Sequence, residues 1–297
     1  MLKIKAAVIG YGNVGRYAAQ AVISSPDIEL CGIVRRTLAQ IPELPGVPVV
    51  ESILDLGKID LALICSPTRN VLEHAISCLE SGISTVDSFD IHPKISEMRD
   101  ALDVSAKKGA ARAIVAAGWD PGSDSVIRAL FEACAPKGIT YTNFGPGMSM
   151  GHTVAVKAIP GVDKAISITI PTGCGIHQRV VYLQLKPGAS LENVAADIKR
   201  DPYFKQDETS VIQVDNIDDY MDSGHGVSIE RKGASGATDN QTFRFSMSVN
   251  NPALTSQIMV SCARAAMRQP PGAYTMIELP IIDLLPGDRR EIIGRIV

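Results

Sequence analysis

The sequence has no surplus of positive charge: 29 lysines and arginines against 32 aspartates and glutamates leave a formal net charge of −3. That gives no electrostatic case for nucleic acid or a membrane surface as partner. No apolar run approaches the ~18 residues of a membrane-spanning helix. The first strand pattern begins almost at once, with no room for a secretory leader, so the expectation is a cytoplasmic protein. C-x-x-C pairs and Cys/His ligand spacings are missing too, which argues against a metal site or a disulfide framework. The six cysteines (Cys31, Cys65, Cys78, Cys134, Cys174, Cys262) read as reduced thiols used as small core residues. Nor is a staple needed, because a chain of 297 residues can bury roughly three-quarters of its unfolded surface and can form two domains. Repeats, low-complexity tracts and charge blocks are also lacking.

What is there is organised around Gly10-Tyr11-Gly12-Asn13-Val14-Gly15. The apolar run Ile4 to Ile9 leads in as a strand, and an alanine-rich helical pattern from Val14 to Ile23 leads out. Between them, G-x-G-x-x-G is a dinucleotide fingerprint: Gly10 permits the turn, Gly12 lets a pyrophosphate approach the backbone, and Gly15 lets helix and strand pack closely. The helix N-terminus offers unpaired N–H groups to the phosphates. Three glycines can equally serve a tight turn without a ligand, but the uninterrupted β-α-β context favours a nucleotide.

The second strand, Ile28 to Val34, ends in Arg35-Arg36, about 20 residues after Gly15, where a cofactor lacking a 2′-phosphate is usually met by an acid. Two guanidinium groups suit a 2′-phosphate and can stack on adenine, so NADP is expected rather than NAD. Further strands follow at Val47 to Val50, Leu61 to Cys65, Ser84 to Val86 and Ala113 to Ala116, with helices from Arg69 to Ser81 and from Pro93 to Lys108. Ligands bind at the carboxyl ends of strands in such sheets. The loop Cys65-Ser66-Pro67-Thr68, with Ser88 after the next strand, is therefore expected to line the cofactor. Asp90 and Asp120 follow two of these strands and are candidates to converge, although either alone can be a cap or a turn residue. Trp119 beside Asp120 is the chain's only tryptophan.

The expected fold is α/β. Residues 1–120 form a Rossmann-type, doubly wound parallel sheet that binds the dinucleotide. Residues 121–251 form an α+β substrate and dimerisation domain with a mostly antiparallel sheet, its strands at Ile139 to Phe144, Ala165 to Ile170, Val180 to Leu185, Thr209 to Val214, Val227 to Arg231 and Thr242 to Val249. Residues 252–297, opening on a long helix from Pro252 to Arg268, return to the first domain.

These motifs resemble the meso-diaminopimelate D-dehydrogenase family over nearly the whole chain. The resemblance rests on Gly10–Gly15, Arg35-Arg36, Thr85 to Asp90, Gly118-Trp119-Asp120-Pro121-Gly122, Phe144 to His152, His225-Gly226 and Asn250-Asn251-Pro252. The compact connection from Pro171 to Arg179 resembles a shorter variant of the family, some enzymes of which are looser in substrate and also aminate 2-keto acids to D-amino acids. The resemblance implies NADP-dependent oxidation of the D-centre of meso-2,6-diaminopimelate by a homodimer. Asp90 and Asp120 would hold the reacting ammonium; Trp119, Phe144, Met150 and Gly151 would line that pocket; Thr169, Arg179, His225 and Asn251 would grip the remote L-amino acid end. Read without it, Thr169 is equally a β-former, Arg179 a strand-edge charge and His225 a turn residue. Two alternatives are another NADP-linked reductase on this fold, of the dihydrodipicolinate or homoserine type, and a non-catalytic NADPH-binding regulator.

Overall fold

A computed structural model describes residues 3–220 and 224–297. In chain order its elements open with β1 (Ile4–Ile9), α1 (Asn13–Ile23), β2 (Ile28–Val34), β3 (Val49–Val50), β4 (Leu61–Ile64), α2 (Val71–Glu80), β5 (Ser84–Asp87), α3 (Ile95–Lys108), β6 (Arg112–Val115) and α4 (Ser123–Cys134). Then come β7 (Lys137–Phe144), β8 (Gly147–Met148), α5 (Met150–Lys157), β9 (Val162–Gly173), β10 (Ile176–Leu185), α6 (Leu191–Arg200), β11 (Glu208–Gln213), β12 (His225–Ser235) and β13 (Thr238–Val249). The chain closes with α7 (Asn251–Ala266), β14 (Gly272–Thr275) and α8 (Arg289–Ile296). Residues 1–129 and 252–297 make one compact unit and residues 130–251 a second.

In the first unit seven strands run in the order β14-β6-β5-β4-β1-β2-β3, every neighbouring pair parallel. Alternation along the strands assigns side chains to two faces. Ala6, Val8, Leu61 and Leu63 join one core with Ala18, Ala19 and Val22 of α1 and Met259, Val260 and Ala263 of α7. Their neighbours Ala7, Ile9, Ala62 and Ile64 join another core, against Val71, Ala75 and Leu79 of α2 and Met98 and Leu102 of α3. A strand covered on both faces needs apolar residues at every position, which is why β4 reads Leu-Ala-Leu-Ile without alternation.

The second unit divides its strands between two sheets rather than the single one expected. One is ordered β11-β10-β9-β8, with β10 and β11 parallel and the other pairs antiparallel; the other is the antiparallel set β13-β12-β7. The hairpins β9-β10 and β12-β13 each pair along ten or more positions, and neither supplies an edge to the other. Val156, Val194, Ile198 and Phe204 pack with Val181 and Leu183 to form the core of the four-stranded sheet. Among the cysteines, Cys78 and Cys262 are core residues as expected, but Cys134 and Cys174 are exposed. Cys134 ends α4, and Cys174 sits at φ +54 in the β9-β10 turn, where no core reaches it. No helix among the described residues is long and apolar enough to cross a membrane.

Candidate active site

The three glycines of the first loop do different work. At Gly10 (φ +92) an added Cβ would lie 2.8 Å from the Cys65 carbonyl oxygen, and at Gly15 it would lie 2.1 Å from that of Gly10. Both positions are closed by backbone. A Cβ on Gly12 would meet nothing within 4 Å, so the space there is open for a ligand. Gly12 is the N-cap of α1 and supplies no side-chain cap, leaving first-turn N–H groups free to receive an anion; Asn13 and Val14 open that turn.

At the end of β2 the Arg35 guanidinium lies 5.7 Å from the centroid of the Tyr11 ring, and Arg35 Nη2 donates to the Ala39 carbonyl. Arg35 Nε is buried with no partner among the described residues, and so is the Ser66 hydroxyl after β4. Arg36 is exposed. Buried polar atoms are normally satisfied, so these two orphans beside an open glycine fit a polar ligand such as a dinucleotide. Cys65, whose thiol burial pushes up to about 12, is an inert spacer there. Pro67 leads into the next turn, and Thr68 donates to Asp90 Oδ1 at 2.8 Å, joining the loops after β4 and β5. Ser88 stands against Gly118.

Asp87 fastens the β5 loop to the β6 loop. Its Oδ1 accepts from Phe89 N at 2.9 Å and Ala116 N at 3.1 Å, and its carbonyl accepts from Ala117 N at 2.7 Å. Burial pushes its carboxyl up to about 6 although both N–H bonds favour the anion. Beyond it the turn Gly118–Gly122 closes on itself: Gly118 N donates to Pro121 O, Ser123 N to Gly118 O and Asp124 N to Trp119 O, at 3.0 to 3.1 Å. Trp119 is buried inside it, while the Asp120 side chain keeps 15% exposure. Asp90 is exposed and raises the Asp120 pKa electrostatically, but the larger cause is burial, and Asp124 and Arg128 pull in the opposite direction.

In the second unit β9 and β10 set Thr169 opposite Arg179, and Arg179 Nη1 donates to Thr169 Oγ1. Arg179 Nε donates to Asp207 Oδ2 at 2.6 Å. Thr169 also pairs with Gly147 of β8, and a Cβ on Gly147 would lie 2.7 Å from His225 Cα, so His225 is drawn to the same sheet end. His225 pairs with Val249, two residues before Asn251. His152, His177 and His225 are all shifted down, by burial first and then by the Arg179 charge. His177 Nε2 accepts from Phe144 N at 2.8 Å and is therefore neutral. His152 Nε2 lies 2.9 Å from the Tyr203 carbonyl and must donate to it, so Nδ1 accepts from Ser149 Oγ at 2.8 Å; this fixes the turn that carries Met150 and Gly151.

The structure thus gathers Asp90, Trp119 and Asp120 at one sheet edge of the first unit, and Thr169, Arg179 and His225 in the second. Sequence reasoning missed Asp87, Asp124, Arg128, His152, His177 and Asp207. Only Asp124 and Arg128 carried a signal, since Asp124 lies four residues from both Asp120 and Arg128 at the start of a helix.

Residues 4–116 match the oxidoreductase family with an NAD-binding Rossmann fold, and residues 118–251 match the diaminopimelic acid dehydrogenase C-terminal domain. A meso-diaminopimelate D-dehydrogenase of Bacteroides fragilis is 57% identical over 100% of both chains. The C. glutamicum DAP dehydrogenase, solved in complex with DAP, superposes with a TM-score of 0.91 at 29% identity and covers 100% of both chains. An engineered D-amino acid dehydrogenase bound to NADP+ superposes with a TM-score of 0.87 at 27% identity, covering 99% of this chain and 100% of its own.

Proposed function

The chain belongs to the family of meso-diaminopimelate D-dehydrogenases, and from that premise we propose how its residues divide the reaction. The substrate is meso-2,6-diaminopimelate, and its D-centre is oxidised and hydrolysed to L-2-amino-6-oxopimelate and ammonia. The cofactor is NADP+, which when bound would supply the hydride acceptor for the α-carbon. Gly12 and the first turn of α1 receive its pyrophosphate. Arg35 and Arg36 would meet the 2′-phosphate; the Arg35 Nε, unpaired among the described residues, and the placing of Arg35 over the Tyr11 ring support this choice, and the two residues that follow β2 are basic where an acid would repel the phosphate.

Asp120 is the observation that carries the mechanism. Hydride leaves readily only when the substrate nitrogen is a neutral amine, so a base must take a proton from the ammonium first. Asp120 is a partly enclosed carboxyl with its pKa raised, which makes it a better proton acceptor than an exposed aspartate. Asp90, held by Thr68, adds a second negative group for the ammonium. In the second unit, Arg179 and Thr169 receive the remote carboxylate, helped by His225 and Asn251, while Phe144, Met150 and Gly151 are lining residues positioned by His177 and His152. Run in reverse, the same ammonium site would aminate 2-keto acids to D-amino acids.

The test is NADP+ and NAD+ reduction assayed against separated diaminopimelate stereoisomers. The meso isomer with NADP+ should be preferred over NAD+ by well over about tenfold in kcat/KM, or about 1.4 kcal/mol. Efficient oxidation of the LL isomer would sink the substrate assignment, and equal use of both cofactors would sink the role of the arginine pair.

A further inference from the structure

The carboxyl chemistry of the first unit does not end at Asp90 and Asp120. In the first turn of α4, the side chain of Asp124 is completely buried. Arg128 Nη1 donates to Asp124 Oδ2 at 2.6 Å, and Nη2 lies 3.7 Å from Asp120 Oδ1. The Ser125 hydroxyl accepts from Arg128 Nη2 at 3.0 Å and from Gly122 N at 3.3 Å, and donates to Asp124 Oδ1 at 3.3 Å. Asp120 Oδ1 is buried and takes no hydrogen bond from any N–H or hydroxyl among the described residues. Arg128 therefore reaches toward both carboxyls with one guanidinium, bringing the Asp120 and Asp124 side chains together beside the orphaned Asp120 Oδ1. Two carboxyls can share a hydrogen bond only if one of them holds a proton.

We propose that Asp124 is a positioning residue for the reaction: its carboxyl donates the hydrogen bond that holds the Asp120 carboxylate in place, while Arg128 anchors Asp124 by its other oxygen. This rests on the reading above, in which Asp120 meets the substrate ammonium. Asp124 is the group that holds the proton because it is the more deeply buried. Burial, with Asp120 beside it, pushes Asp124 up to about 7 against the pull of Arg128. Asp120 faces Asp124 and Arg128 from α4, Asp90 from the β5 loop, and His92, whose Nε2 lies 3.8 Å from Asp120 Oδ2. A helical i,i+4 pair placed only for stability would gain more at the surface, where neither charge loses its water.

The experiment compares the intact enzyme with Asp124→Asn, Asp124→Leu and Asp120→Asn. Leucine keeps the shape of aspartate without a donor, whereas the asparagine amide donates the same bond without titrating. Asp124→Leu should lower kcat for meso-diaminopimelate by at least about tenfold with NADP+ affinity and Tm unchanged, and Asp124→Asn should recover kcat to within about threefold. In infrared spectra the C=O band of a protonated carboxyl that is lost as pH rises through about 7, distinct from the Asp87 band that is lost near 6, should be missing from Asp124→Asn. Normal kcat in a folded Asp124→Leu enzyme, or survival of the band in Asp124→Asn, overturns the proposal; if the leucine variant does not fold, the spectra decide. Normal turnover in Asp120→Asn would instead overturn the underlying reading of Asp120.

Discussion

At the scale of single residues, Asp87 sets a burial cost against a positioning role. Its carboxyl is fully buried with Oδ2 unpartnered among the described residues, yet its Oδ1 and carbonyl tie together the loops that carry Asp90 and Asp120. Because its folded pKa is raised to about 6, the native state holds the proton more tightly than the unfolded chain does. The stabilisation linked to that proton is complete below the unfolded carboxylate range and is lost as pH rises through about 6. At about 1.4 kcal/mol per pKa unit, the full swing is about 3 kcal/mol. Asparagine keeps the accepting oxygen and does not titrate. The Tm advantage of Asp87→Asn over the unmodified protein should therefore grow between about pH 4 and pH 6 and be flat above and below. Melting curves across that range measure it, and a constant difference would mean that Asp87 is ionised throughout.

At the scale of elements, the glycine-rich loop separates two jobs that one motif conflates. Gly15 is closed off by the Gly10 carbonyl, so Gly15→Ala should cost stability and binding together. Gly12 opens on empty space at φ −81, which alanine accepts, so Gly12→Ala should keep its Tm while NADP+ affinity falls at least about tenfold, or about 1.4 kcal/mol. Thermal melting beside an NADP+ titration distinguishes the two; wild-type affinity in Gly12→Ala would remove Gly12 from the phosphate site. This loop, the parallel strands around it and the acids after β5 and β6 were legible in the sequence because they are local: a period, a turn residue, a strand end. The partition of β7 to β13 into two sheets was not, since pairing partners are chosen across long separations. Asp207 on Arg179 was equally hidden, and Asp124 beside Asp120 showed only as an i,i+4 spacing, because burial and donor geometry turn a surface-looking acid into a working one.

For the whole molecule, the proposed reaction assigns cofactor and proton chemistry to the first unit and recognition of the far end of the substrate to the second. The length of the substrate then becomes a probe of the second unit alone. Arg179 is fixed by Asp207 at Nε and by Thr169 at Nη1, so its guanidinium is oriented before a carboxylate arrives. Its loss should lower kcat/KM for meso-diaminopimelate at least about a hundredfold, or about 2.7 kcal/mol, which is the size of a charge-assisted hydrogen-bonded pair. A short D-amino acid such as D-alanine never reaches this arginine and should change by less than about threefold. Arg179→Ala also strands the partly buried Asp207, so the comparison is repeated in the double variant Arg179→Ala/Asp207→Ala, where no lone carboxylate remains. If both substrates lose activity equally in both variants, Arg179 supports the fold of β9 and β10 and not the far end of the substrate. A loss confined to the long substrate ties specificity to the second unit and leaves the hydride chemistry with the first.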